Sequence, residues 1–220
     1  MRLPSRPHFF RPATDPSAPP LLLLHGTGGD EHDLVGLADR MSPGSALLAP
    51  RGLVSEHGAA RFFPRLGEGV FDPARIVPRI AELAAFVAEA SRHYKLDTGR
   101  SAAGLVALGF SNGANAAAAL LQFHPELPLA GAVLLRAMFV LDRPAPAGAL
   151  AGRRVLLLNG AHDPIVPPDH PPRLAALLRA GGAAVDSVIH PDAGHGLTPD
   201  DLARGASFFA EAERARNRPR

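Results

Sequence analysis

The residues of this chain best placed to do chemistry are Ser111, Asp163 and His195, each at a turn that follows an apolar run. Gly109-Phe110-Ser111-Asn112-Gly113 fits the pattern G-x-S-x-G, which alone recurs by chance in roughly one chain in ten of this length. Its setting sharpens it, because it ends the apolar run Leu105–Phe110 and opens an alanine-rich helical stretch. A serine on such a strand-to-helix turn stands exposed, and glycines two residues to either side remove side chains that would clash in the bend. A serine hydroxyl is a poor nucleophile until a base accepts its proton. On an elbow of this kind the acid and the histidine follow in the chain, each after a later strand. The apolar run Val155–Leu158 leads into Asn159-Gly160-Ala161-His162-Asp163, and Val185–Ile189 leads into Pro191-Asp192-Ala193-Gly194-His195-Gly196. Asp163 is therefore the expected acid and His195 the expected base. His162 and His190 are read as loop polar residues, and Asp192 is too near His195 to come from a strand of its own.

The negative charge that develops on an attacked carbonyl oxygen needs donors, usually two backbone N–H groups. Asn112, directly after the serine, supplies one. The glycine-rich turn Leu24-His25-Gly26-Thr27-Gly28-Gly29 supplies the other, and Thr27 is the expected donor. This turn lacks the Gly-Lys-Ser/Thr ending of a phosphate loop, and Glu31 occupies the last glycine position of a dinucleotide fingerprint. His25 reads as a brace for the turn rather than a metal ligand, since no second ligand lies at helical spacing.

These turns need a scaffold. Apolar runs at Leu21–Leu24, Ala46–Ala49, Gly104–Phe110, Ala130–Leu135, Val155–Leu158 and Val185–Ile189 alternate with segments of helical periodicity. The first helix is expected over Leu34–Met41, started by Asp30. A longer one carries the stripe Ile76, Ile80, Leu83, Val87, Ala90 and Tyr94. Asp72-Pro73 marks its start, and Pro78 is expected to kink it or delay that start. Further helices are expected at Asn112–Phe123, at Pro172–Ala180 and after Thr198, where Thr198, Pro199 and Asp201 suit a helix N-terminus. Alternation of this kind gives an α/β fold, a mainly parallel sheet with helices on both faces. His8–Arg11 is a candidate antiparallel edge strand. With 220 residues a single domain over 1–220 is expected, with 1–7 and 213–220 as frayed ends.

Composition excludes several classes. The formal net charge is only +2 and the basic residues are interspersed with acidic ones, which does not make a nucleic-acid surface. No apolar run approaches the roughly 20 residues of a membrane span, and no apolar segment follows Arg2 and Arg6 as a signal peptide requires. The chain has no cysteine, so thiolate metal sites, disulfides and a cysteine nucleophile are excluded. A cytoplasmic location is the default expectation, with no metal.

With these residues placed, the chain resembles the phospholipase/carboxylesterase family of α/β hydrolases. The matching segments are Leu24-His25-Gly26, Gly109-x-Ser111-x-Gly113, Asp163-Pro164-x-Val166-Pro167 and Gly194-His195. It is similar in particular to the hydrolases associated with hydroquinone ring-cleavage genes, through Leu24–Glu31, Pro50-Arg51-Gly52, Arg61-Phe62-Phe63 and Ser111-Asn112-Gly113-Ala114-Asn115. The resemblance implies an α/β-hydrolase fold without a large cap domain, no cofactor, and Ser111, Asp163 and His195 as a triad. It also implies that Arg61–Phe63 lies beside the active site. Ala137, where the subgroup tends to have proline, and Pro78 depart from its pattern. The leading expectation is hydrolysis of a small-molecule carboxylic ester. A thioester substrate, a carbon–carbon cleavage of a ring-opened aromatic and a non-catalytic binding role stay open. Arg61, Phe62, Phe63, Met138 and Val166 are candidate pocket residues, although the apolar ones suit a core equally well. Arg51 and Arg61 are candidate anchors for an anionic group or structural ion pairs. Related esterases include dimers, which leaves a homodimer open.

Overall fold

The computed structural model describes residues 6–96 and 104–217. In chain order the elements are β1 (His8–Arg11), β2 (Leu21–Leu24), α1 (Val35–Met41), β3 (Leu47–Pro50), β4 (Val54–Glu56), β5 (Ala59–Arg61), α2 (Pro73–His93), β6 (Leu105–Phe110), α3 (Asn112–Phe123), β7 (Leu129–Leu135), β8 (Arg154–Gly160), α4 (His170–Ala180), β9 (Ala184–His190) and α5 (Pro199–Arg216). One sheet runs β1-β3-β2-β6-β7-β8-β9. Every neighbouring pair in it is parallel except the edge pair of β1 and β3.

The central strands are apolar at consecutive positions because both faces of the sheet are covered. Along β2, Leu22 and Leu24 join the core beneath α2, α3 and α4 with Ala107, Leu134 and Leu157. Leu21 and Leu23 join the opposite core beneath α1 and α5 with Leu108, Leu135, Leu158 and Phe209. This period of two is what a strand buried on both sides imposes. From β2 the chain goes outward to β3 and then returns to β6 on the other side of β2. Strand order therefore reverses between β2 and β6, and a crevice opens at their carboxyl ends. The turns holding Thr27 and Ser111 lie at those ends. The connection from β7 to β8, residues 136–153, contains no helix, so it builds no helical cap over the crevice. No helix among the described residues is long and apolar enough to cross a membrane.

The structure departs from expectation in three places. α1 starts at Val35 after Leu34, which gives it no side-chain cap, because Asp30 accepts from the His32 N–H inside the preceding turn instead. Pro78 does not delay α2, which starts at Pro73 with Asp72 accepting from the Ala74 N–H. At the ends expected to fray, Arg6 donates to the Arg51 carbonyl, and α5 is helical to Arg216. The remainder of those ends, residues 1–5 and 218–220, lies outside the described residues. The hairpin of β4 and β5 is additional. Its two turn residues, His57 and Gly58, both take positive φ (51° and 86°), as a tight two-residue hairpin requires.

Candidate active site

Ser111 sits between β6 and α3 at φ 51° and ψ −117°, a backbone state that costs on the order of 1–3 kcal/mol for a non-glycine residue. The surroundings hold it there. Its N–H donates to the Leu135 carbonyl at 2.9 Å, and its carbonyl accepts from the Asn115 N–H at 3.0 Å. The two pattern glycines are needed for contact reasons. A Cβ at Gly113 would come within 1.9 Å of the Leu24 carbonyl oxygen, and one at Gly109 within 2.7 Å of the Ala114 backbone. Any side chain there would push α3 off β2 and β6.

The turns after β8 and β9 are joined to each other. Ala161 and His162 donate to the His190 and Ala193 carbonyls, each at 2.9 Å. Asp163, whose side chain is wholly buried, accepts from the Ile165 and Val166 N–H groups through Oδ1, at 2.8 and 3.1 Å. Its Oδ2 lies 2.8 Å from His195 Nδ1, and His195 Nε2 lies 3.0 Å from Ser111 Oγ. The chain thus brings together three side chains from three turns. With Nδ1 donating to Asp163, Nε2 is the free acceptor for the serine proton. His162 and Asp192 are exposed and outside this line, and His190 is buried at the end of β9 beside Asp200 and Asp201.

Thr27 and Asn112 border the same cavity as Ser111 and His195. Asn112 is the first residue of α3, where N–H groups have no intrahelical partner. No backbone carbonyl among the described residues accepts from the Thr27 N–H. The Ser111 N–H, by contrast, is taken by Leu135. The segment from β5 to Phe62 ties down both turns. Ala60 accepts from the Gly28 N–H at 2.9 Å, Arg61 Nη1 donates to Thr27 Oγ1 at 2.6 Å, and the Phe62 N–H donates to Asn112 Oδ1 at 2.8 Å. His25 braces the turn from beneath, accepting from the Gly52 N–H at 2.9 Å through Nε2 and reaching the Gly26 carbonyl through Nδ1. Burial, partly offset by that carbonyl and nearby carboxylates, pushes the imidazole below its usual pKa, in keeping with a neutral ring that accepts at Nε2.

The cavity, about 280 Å³, is walled by Arg61, Arg65, Glu68, Asn115, Phe71, Phe110, Met138 and Ile165 besides the residues above. Three expected pocket residues do not border it. Phe62 and Phe63 are 3% and 0% exposed and belong to the core under α2 and α3. Val166 is also buried and serves Asp163 through its N–H. Ile165 and Phe71 take their place, because the chain after β5 turns both phenylalanine rings inward. Arg51 lies off the cavity, paired with Glu31.

Sequence reasoning missed Arg136. It is fully buried and spends all of its donors: Nε on the Gly194 carbonyl at 3.0 Å, Nη1 on Leu158 at 3.1 Å and Asp201 at 3.0 Å, Nη2 on Gly196 at 2.7 Å and Asp201 at 2.6 Å. It therefore grips the carbonyls on both sides of His195. Asp201 also accepts from Thr198 and closes the capping box of α5. Among the described residues no group of three or more His, Asp or Glu is arranged to hold a metal ion.

Comparison with known proteins bears on the fold and the family. A model of the prolyl oligopeptidase family matches residues 142–212, a stretch that includes Asp163 and His195. The chain is 40% identical over 205 residues to the "Putative hydrolase MhqD" of Bacillus subtilis, covering 93% of this chain and 98% of that one. A Bacillus cereus carboxylesterase structure superposes with a TM-score of 0.86 at 38% identity, covering 94% of this chain and 95% of that one. A carboxylesterase structure from Mesorhizobium loti gives 0.78 at 34%, covering 91% and 98%.

Proposed function

Because the chain belongs to the phospholipase/carboxylesterase family of α/β hydrolases, we propose that it is a serine hydrolase of small carboxylic esters, with Ser111, His195 and Asp163 as its triad. The line of contacts from Asp163 Oδ2 to His195 Nδ1 and from His195 Nε2 to Ser111 Oγ, at 2.8 and 3.0 Å, is the observation that carries this reading. Ser111 Oγ attacks the ester carbonyl while its proton moves to His195 Nε2. The oxygen that gains charge accepts from the Thr27 and Asn112 N–H groups, donors already in place before the charge develops. Asp163 holds the imidazole in the required tautomer and stabilises the imidazolium. Collapse of the tetrahedral intermediate breaks the bond to the leaving alcohol, which takes the proton from Nε2. Water then repeats the cycle on the acyl-enzyme and releases the acid.

The cavity's small volume supports short acyl groups. We expect p-nitrophenyl acetate and butyrate to exceed laurate and palmitate in kcat/KM, and a fluorophosphonate to label Ser111. Efficient palmitoyl turnover would replace this reading by an acyl thioesterase or a long-chain esterase, and absence of labelling would remove the serine mechanism altogether.

A further inference from the structure

The walls of the cavity are too polar for a simple alkyl slot. Arg61 is 3% exposed, yet its guanidinium is only partly used. Nε faces the Phe63 carbonyl at 3.2 Å and Glu56 at 3.1 Å, Nη1 donates to Thr27, and Nη2 makes no hydrogen bond among the described residues. Among the described residues it forms a salt bridge with Glu56 alone, which is shared with Arg65, while Glu68 acts on it without a salt bridge. Burial accordingly pulls Arg61 below the usual guanidinium pKa, and Glu56 offsets this only in part. A buried cation with incomplete pairing is costly unless something else supplies charge. The same cavity is bordered by Asn115, also 3% exposed. Its Oδ1 is taken by the Met138 N–H at 2.9 Å, which orients the amide, while Nδ2 has no partner among the described residues. Both residues border the cavity that holds Ser111.

From this geometry we infer that the substrate is an ester whose acyl part carries a carboxylate, received by Arg61 Nη2 and Asn115 Nδ2. This rests on the ester-hydrolase reading and adds the substrate class to it. Arg61 touches the Thr27 side chain, so a carboxylate held by its Nη2 lies on the same side of the cavity as a carbonyl seated at the Thr27 N–H, which suits a short dicarboxylic half-ester. A site built from buried donors discriminates strongly against an analogue that leaves them unpaired.

The test compares monomethyl succinate with methyl 4-methylpentanoate, in which an isopropyl group replaces the carboxylate at nearly equal size, by titrating released acid. Wild-type protein is expected to favour the succinate ester by about tenfold or more in kcat/KM. Arg61→Met abolishes most of that ratio, and Arg61→Lys, which keeps charge without the planar fork, gives an intermediate value. The ratio within one protein cancels any general loss from disturbing Thr27. Arg51→Met removes the same charge outside the cavity and leaves the ratio unchanged. Equal turnover of the two esters by the wild type, or an Arg61→Met ratio equal to the wild type's, overturns the inference. The wild-type ratio decides even if Arg61→Met does not fold. Turnover of neither ester, with p-nitrophenyl acetate also inert, overturns the ester reading itself and this inference with it.

Discussion

Two buried arginines flank Ser111, and they are finished to different degrees. Arg136, beneath the His195 turn, has every donor matched by a carbonyl or by Asp201. Arg61, beside the Thr27 turn, shares one carboxylate with Arg65 and keeps an unmatched nitrogen at the cavity. A fully paired buried ion is a strut: it sets where His195 stands and has nothing left to offer a ligand. An incompletely paired one costs stability and keeps binding capacity. In the mechanism proposed above, the contrast puts rigidity on the proton-transfer side of the site and selectivity on the oxyanion side.

The largest effect belongs to what both arginines surround. Ser111→Ala and His195→Ala are each expected to lower kcat by on the order of 10⁴-fold or more, since triad members act as a unit. Ser111→Ala leaves the Arg136 and Arg61 networks intact, so its urea midpoint should match the wild type. Near-normal turnover by a folded Ser111→Ala protein would leave neither arginine with a site to serve.

Next comes the strut. Arg136→Met leaves Asp201 charged and buried with only Thr198 and His190 beside it, and removing one member of a buried pair costs about 3–5 kcal/mol. Arg61→Met is expected to cost less, because its partner Glu56 is a quarter exposed and is also held by Arg65. Urea denaturation should therefore rank Arg136→Met well below Arg61→Met. The order should invert in the succinate-to-alkyl ester ratio, where Arg61→Met changes most. Equal stability losses would erase the distinction drawn above.

Much of this arrangement was legible in the chain, and the illegible part has a common cause. The strands of the sheet announce themselves as unbroken apolar runs because both faces are covered. The turns of Ser111, Asp163 and His195 follow from where those runs stop. Glycines at 109 and 113 mark the elbow because the backbones of β6 and β2 come too close to α3 for a Cβ. Arg136 gives no such sign. An arginine after an apolar strand reads as solvent-facing, and its partner Asp201 lies 65 residues further on. Phe62 and Phe63 were ambiguous for a related reason, since pocket and core residues share their chemistry and only the path of the chain after β5 separates them. That path depends on the hairpin of β4 and β5, two three-residue strands outside the core whose mixed exposure leaves no periodic signal.

Acid offers a separate test of the strut. Burial raises the Asp201 pKa, but the bonds from Arg136 and Thr198 outweigh it and hold the carboxyl below its ordinary value. A carboxylate depressed in the folded state contributes stability that is complete above its unfolded pKa of about 3.9 and is lost as pH falls through the lower folded value. Asp201→Asn removes this contribution. The Tm gap between wild type and Asp201→Asn is therefore expected to be widest near neutral pH and to narrow below about pH 4. A gap independent of pH down to acid unfolding would mean that Asp201 acts by shape and hydrogen bonding rather than by charge.

The smallest effect is the most discriminating for the selective side. Glu56 is the carboxylate that Arg61 and Arg65 divide between them, and the two guanidinium groups hold it below its usual pKa against the opposing effect of burial. At neutral pH it is therefore charged and competes with any bound carboxylate for Arg61. Glu56→Gln keeps the size and an acceptor oxygen but removes the charge, which leaves Arg61 less compensated. A partly exposed ion pair of this kind is worth about 0.2–1 kcal/mol. The succinate-to-alkyl ester ratio should thus rise by roughly 1.4- to fivefold in Glu56→Gln, opposite in sign to the fall in Arg61→Met. If Arg61 served only to hold Thr27, losing Glu56 would slow both esters together and leave the ratio where it was. A rise confined to the anionic ester is the result that a carboxylate subsite requires and a purely structural arginine does not produce.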